Sequence, residues 1–139
     1  MAPDTSAPPV ALERLLRAIN RRDPEALVGC FTPDYINETP LHPARSFTGR
    51  EQVGRNWQLI FAAVPELTAE VVRCVADRDT VWAEWEMSGP RVDGGRHLLR
   101  GVTVLGMRDG LIAWARFYLD PVEKGGVGVE AATSEVLAS

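Results

Sequence analysis

Apolar residues recur along this chain with two different periods. Between residues 11 and 19 the period is helical: Ala11, Leu12, Leu15, Leu16 and Ile19 form one stripe, with Glu13, Arg14, Arg17 and Arg21 opposite. This predicts an amphipathic helix ending near Arg22. Asp23-Pro24 then restarts the chain, an N-capping residue followed by proline in the first helical position. A short second helix is expected through Leu27, Val28 and Phe31, stopped before Pro33. Tyr35 to Thr39 can form a short strand, and Pro40 and Pro43 bound a rigid loop that carries His42. Thr48-Gly49-Arg50-Glu51 fits a capping box, opening a third helix that puts Val53, Trp57, Ile60, Phe61 and Val64 on one face until Pro65 ends it.

Beyond Pro65 the period becomes two. Leu67 to Ala76, Thr80 to Ser88, His97 to Met107 and Leu111 to Leu119 read as strands separated by Asp77-Arg78-Asp79, Asp93-Gly94-Gly95 and Asp109-Gly110. Asp-Gly between two such runs is a strong hairpin signal. The expected fold class is α+β: a curved, cone-shaped antiparallel sheet of four long strands plus a short one, wrapped around three N-terminal helices. Alternation assigns Val81, Ala83, Trp85 and Met87 to one face of the second long strand, and Trp82, Glu84 and Glu86 to the other. On the last strand Ala113, Ala115, Phe117 and Leu119 oppose Trp114, Arg116, Tyr118 and Asp120. The apolar set should face the helices and line a pocket. The mixed set reads as a solvated or subunit-facing lattice of ion pairs, with a charged site on that face as the alternative. The domain should span residues 8–121, between a loose Pro-rich stretch at 1–7 and a flexible tail at 122–139.

The 139 residues suffice for one domain, and 45% of them are apolar. A formal charge of −4, with arginines scattered among acids, argues against nucleic-acid binding. The run of Arg14, Arg17, Arg21 and Arg22 reads as the wet face of the first helix. No apolar run approaches the ~20 residues that span a bilayer, so no membrane partner is expected. The start of the chain lacks a signal-peptide pattern, and Cys30 and Cys74 lie among apolar residues as buried thiols rather than a disulfide, so a cytoplasmic protein is expected. Neither His42 nor His97, the latter expected at the surface, belongs to a cluster with metal-ligand spacing, so no metal site and no cofactor is expected.

Helix-helix-strand-helix followed by four long strands, with Tyr35-Ile36-Asn37-Glu38-Thr39-Pro40-Leu41-His42-Pro43, the Thr48-Gly49-Arg50-Glu51 helix start and the closing Asp109-Gly110-Leu111-Ile112…Arg116-Phe117-Tyr118-Leu119-Asp120, resembles the nuclear transport factor 2-like superfamily, specifically its SnoaL-like members. That group includes polyketide cyclases, ketosteroid isomerases and limonene-type epoxide hydrolases. The resemblance implies a cone with a deep pocket, and dimerisation through the outer sheet face, where Trp82, Trp114 and Tyr118 would suit an interface. Tyr35-x-Asn37 is similar to the hydrolase pair that holds the attacking water. The hydrolase base aligns with Phe117, and its Arg and Asp with Trp85 and Met87. The isomerase base falls at or next to Thr39, and its protonated Asp near Thr103. Phe117, Met87, Thr39 and Thr103 are not carboxylates here, and Glu38, next to Thr39, has the wrong parity for a regular strand.

The expected function is therefore cofactor-independent acid/base chemistry (isomerisation, cyclisation or epoxide opening) on an apolar carbonyl, epoxide or polyketide-like substrate. A non-catalytic ligand-binding protein and a dimeric interaction module are the alternatives on the same fold. Tyr35 and Asn37 would orient and polarise the substrate. His42 would move the proton, unless it is simply an exposed or backbone-bonded loop residue. Asp120, a recurrent acid in the closing motif, could cap, pair with an arginine or reach the pocket rim. Trp57, Phe61, Trp85, Met87, Thr103 and Phe117 would hold the apolar body of the ligand, or else fill the core.

Overall fold

The computed structural model describes residues 8–139, so the loose stretch expected at 1–7 lies outside the described residues. Helix α1 (Val10–Asn20) buries Leu12, Leu15, Ala18 and Ile19, the predicted stripe, and leaves its arginines in solvent. The Asn20 amide anchors its C-terminal end to the sheet, accepting from the Ala69 N–H at 2.7 Å and donating to the Ala69 carbonyl at 2.9 Å. Helix α2 (Pro24–Val28) is capped by Asp23, which accepts from the Ala26 N–H at 3.1 Å. It ends at Gly29, two residues earlier than the spacing of Leu27 and Phe31 suggests. Phe31 instead opens strand β1 (Phe31–Glu38) and pairs with Ile112.

The capping box does not form. Thr48 is drawn into a two-residue strand, β2 (Phe47–Thr48), where it pairs with Ile36, and the Gly49 N–H donates to the Tyr35 carbonyl at 2.6 Å. Helix α3 (Arg50–Ala63) therefore starts from Gly49, at a φ of 93°, without a side-chain cap. Gly54 lets α3 approach α2, since a Cβ there would strike Val28. Val53 is buried, whereas Trp57, Ile60 and Phe61 are only half-buried.

Four long strands follow: β3 (Thr68–Asp77), β4 (Thr80–Pro90), β5 (Arg96–Arg108) and β6 (Leu111–Pro121). With β1 and β2 they build one curved, unclosed six-stranded sheet in the order β2-β1-β6-β5-β4-β3. All neighbours are antiparallel except β1 and β6. The β5–β6 hairpin turns on Asp109 and Gly110 with φ of 54° and 79°, the two positive values that such a two-residue loop needs. The expected parity holds on β4, where Val81, Ala83, Trp85 and Met87 are buried.

Two irregularities break the alternation elsewhere. On β3 the register shifts between Val71 and Arg73, so Val72 is exposed and Cys74 turns inward. On β6 the register shifts past Gly106, and Ile112 rather than Ala113 enters the core. Cys30 and Cys74 are buried and not joined in a disulfide. The outer face carries Arg73–Glu84, Arg100–Glu86 and Arg116–Glu38 ion pairs, with Trp82 and Tyr118 exposed among them. Trp114 lies over Gly106, half-buried. His97, expected at the surface, is half-buried, and burial pulls its imidazole below the usual value. The segment 122–139, expected as a flexible tail, holds a further helix, α4 (Val129–Ala138), with no buried residue. Among the described residues no helix is long and apolar enough to cross a membrane.

Gly101 on β5 has no room for a side chain. Its φ is 151°, and a Cβ there would run into the Tyr118 carbonyl and the Leu119 backbone on β6. Gly101→Ala is expected to cost about 1–3 kcal/mol, because strained backbone must be retained or the strand pair must separate. Urea denaturation followed by circular dichroism would show it. An unchanged midpoint would mean that β5 and β6 relax around the added methyl at no cost.

Candidate active site

The half-buried face of α3 borders a void rather than packed core. A cavity of about 310 Å³ lies between α3, β1 and the inner face of the sheet. Its apolar walls include Phe31, Phe47, Trp57, Met87, Phe117 and Leu119. Rings brace them: Phe31 meets Tyr35 edge-on at 4.6 Å and Tyr35 meets Phe47 at 6.0 Å.

One polar ladder crosses this surface, and strand alternation builds it. Tyr35, Asn37 and Thr39 all point inward from the β1 segment. The buried Tyr35 hydroxyl donates to Asn37 Oδ1 at 2.7 Å. Asn37 Nδ2 in turn faces Thr39 Oγ1 at 3.4 Å. Burial pushes the Tyr35 phenol far above its ordinary value, so it stays protonated and acts as a donor, never as a base. Donation into the amide oxygen draws charge from the amide and strengthens its N–H groups as donors to a ligand. Only one Asn37 amide hydrogen is taken by Thr39, so the second is available to the cavity.

The mouth carries the charges. Asp120 and Arg45 line it, with Arg45 Nη1 3.8 Å from Asp120 Oδ1. His42 Nε2 lies 3.1 Å from the other carboxylate oxygen, Asp120 Oδ2. His42 thus meets the cavity through Asp120 and does not itself line it. By parity Asp120 belongs to the outer face. At this end β6 has run past its last residue paired to β1, Arg116 opposite Glu38, and the loop with His42 folds over the free edge.

Of the predicted ligand-holding residues, Trp57, Met87 and Phe117 line the cavity. Phe61 does not; it packs on Trp57 at 5.4 Å. Trp85 and Thr103 sit behind the cavity beside a void of about 30 Å³, where the indole N–H donates to Thr103 Oγ1 at 2.8 Å. Arg45 and Asn56 are lining residues that the sequence reading missed. Asn56 sits one residue before Trp57 on α3, and helical spacing from Val53 would have found it. Arg45 sits in a single 3₁₀ turn (Pro43–Arg45) whose direction has no sequence periodicity to betray it. Among the described residues no three His, Cys, Asp or Glu side chains gather as a metal ion would need.

The comparisons agree with this architecture. No curated protein matches the sequence. Among solved structures, the chain is similar to a Catenulispora acidiphila protein with a ketosteroid isomerase-like fold, in complex with trimethylamine, at a TM-score of 0.70 and 19% identity over 81% of this chain and 87% of that one. It is similar to a Mycobacterium tuberculosis protein, RV0760c, in complex with estradiol-17β-hemisuccinate, at 0.67 and 21% identity over 78% and 90% of the two chains. A Sinorhizobium meliloti protein assigned as a polyketide cyclase gives 0.64 and 23% identity over 81% and 95%. These likenesses show the nuclear transport factor 2-like cone. The SnoaL-like domain family matches residues 12–115, most of the folded region, and this chain belongs to that family.

Proposed function

We propose that this protein performs cofactor-independent proton transfer next to a carbonyl group on a small, largely apolar substrate. The observation that carries the reading is the pairing, in one apolar cavity, of a polarised amide on β1 with a carboxylate held at the mouth. Asp120 would take a proton from the carbon beside the carbonyl, and the electron pair would move onto the carbonyl oxygen. The Asn37 N–H, tuned by Tyr35, would stabilise the resulting enolate. Returning the proton to another carbon completes an isomerisation; attack of the carbanion on a second carbonyl, whose oxygen takes the proton back from Asp120, completes a cyclisation. The solved relatives that carry cyclase and isomerase names support this reaction class.

Hydrogen–deuterium exchange at the α-carbons of a panel of cyclic and aromatic ketones in D2O, followed by NMR, tests the reading without requiring the natural substrate. Exchange above the buffer rate is expected for at least one ketone. Asn37→Ala should lower it about 100-fold, the usual cost of losing one oxyanion donor. Tyr35→Phe should lower it about tenfold, because it acts through Asn37. Rates unchanged in both variants would sink the assignment. The second reading, a binding protein without catalysis, is favoured by Thr39 and Phe117, which leave the deep walls without a carboxylate. Saturable quenching of tryptophan fluorescence by a ketone that never exchanges would establish it.

A further inference from the structure

Among the described residues, only Arg14, Arg17, Arg21 and Arg78 have guanidinium groups with no hydrogen-bond or ion-pair partner. Three of those four line the same concavity. Its volume is about 320 Å³, and it lies between the outer side of α1 and the segment from Asp23 to Cys30. Spacings of three and four residues put Arg14, Arg17 and Arg21 in one row along α1. The opposite wall is made by Ala26 and Gly29, which are too small to fill it. Arg22 does not join the row; its guanidinium turns back to the Leu67 carbonyl at 2.9 Å.

Unpaired like charges so arranged repel one another, and each forgoes the carboxylate that six other arginines of this acidic chain have found. Asp23 is the one acid in the lining, and its carboxylate is engaged by the Ala26 N–H. The lining therefore carries an excess of two positive charges on forked, five-donor groups, which match the geometry of phosphate oxygens. The buried Cys30 also lines it; burial pushes its thiol up, and Arg14 acts on it in the opposite direction. None of the residues lining this concavity lines the cavity under α3.

We propose that the α1–α2 concavity is a second ligand site, for the phosphoryl group of a multiply charged phosphate compound clamped by Arg14, Arg17 and Arg21. The site is independent of the proton-transfer reading, and its test uses neither a ketone nor turnover. Pyrophosphate is the probe, titrated into the full chain at low salt by calorimetry and by amide chemical shifts. Saturable binding is expected, with shifts concentrated between residues 14 and 30. Arg17→Ala should weaken it about tenfold, as for one charge-assisted contact, and Arg14→Ala/Arg17→Ala about 100-fold. Arg78→Ala, which removes the fourth partnerless arginine, should leave it unchanged. All four side chains are exposed, so the variants should keep their melting temperatures.

Vesicles containing phosphatidic acid form the second arm. Binding to them that is lost in Arg14→Ala/Arg17→Ala would identify a lipid headgroup as the source of the phosphoryl group. Binding of pyrophosphate alone would identify a free phosphate compound. No saturable binding in either arm, equal affinity in the double variant, or shifts centred on other residues would overturn the site.

Discussion

Trp85→Ala is expected to lower the stability of the fold by about 4 kcal/mol, within the range for truncating a buried aromatic ring. Trp85 is 2% exposed, and it is the largest fully buried side chain among the described residues. Two losses add. The indole leaves a hole next to the existing void of about 30 Å³, so the neighbouring Leu15, Ile19, Leu105 and Phe117 side chains lose contacts on that side. The Thr103 hydroxyl, 2% exposed, also loses the only side-chain partner it has, at a cost of about 1–3 kcal/mol for an orphaned buried group. Thermal unfolding followed by circular dichroism should show a fall of about 10–20 °C for a domain of this size. The second contribution can be separated from the first. In the Trp85→Phe background Thr103→Val should be neutral or stabilising, whereas in the native background it should destabilise, since it strands the indole N–H instead. Equal effects of Thr103→Val in both backgrounds would show that the bond contributes nothing.

The same residue shows what periodicity can and cannot settle. Alternation along β4 placed Trp85 inward with Met87, and both are buried. It could not say that Met87 touches the cavity while Trp85 stands behind it, because a face contains both a pocket wall and a packed core. Nor could it see Val72 and the register shift on β6. An extra residue in a strand reverses the parity of everything beyond it, and neither Val72 nor Ala113, the residues left over in the two bulged strands, is a glycine or proline that would announce it.

Local signals failed where tertiary pairing outbid them. Thr48 and Glu51 have the spacing of a capping box, yet Thr48 serves the sheet through Ile36. Phe31 has helical spacing from Leu27, yet its backbone is committed to Ile112. The β5–β6 turn was legible because Asp109-Gly110 supplies its positive φ values by its own chemistry. The Tyr35–Asn37–Thr39 ladder was legible because it needs only a local strand. Asp120 was legible as a residue that could pair or reach the rim. Its joining with His42 and Arg45 depends on a loop 78 residues away in sequence from the carboxylate it meets.

That joining has the largest expected consequence for activity. Asp120→Ala should reduce α-carbon exchange by about 10²–10⁴-fold on whichever ketone the native protein exchanges fastest, the contribution usual for a general base. The loss would not come from unfolding. The Asp120 side chain is 42% exposed, and exposed ion pairs contribute at most about 1 kcal/mol, so its contacts with His42 and Arg45 weigh little in the fold. His42 touches the carboxylate and not the cavity, which makes it a positioning residue: His42→Ala should cost only about tenfold, through a less ordered base. Chemical rescue distinguishes the two roles. Formate diffusing into the space left in Asp120→Ala should restore part of the exchange rate, because a small carboxylate can do the same proton transfer. It should do nothing for His42→Ala, whose own carboxylate is still in place. Exchange in Asp120→Ala equal to that of the native protein would remove the carboxylate from the reaction, and would leave the Asn37 amide as a binding group in a pocket that holds its ligand without changing it.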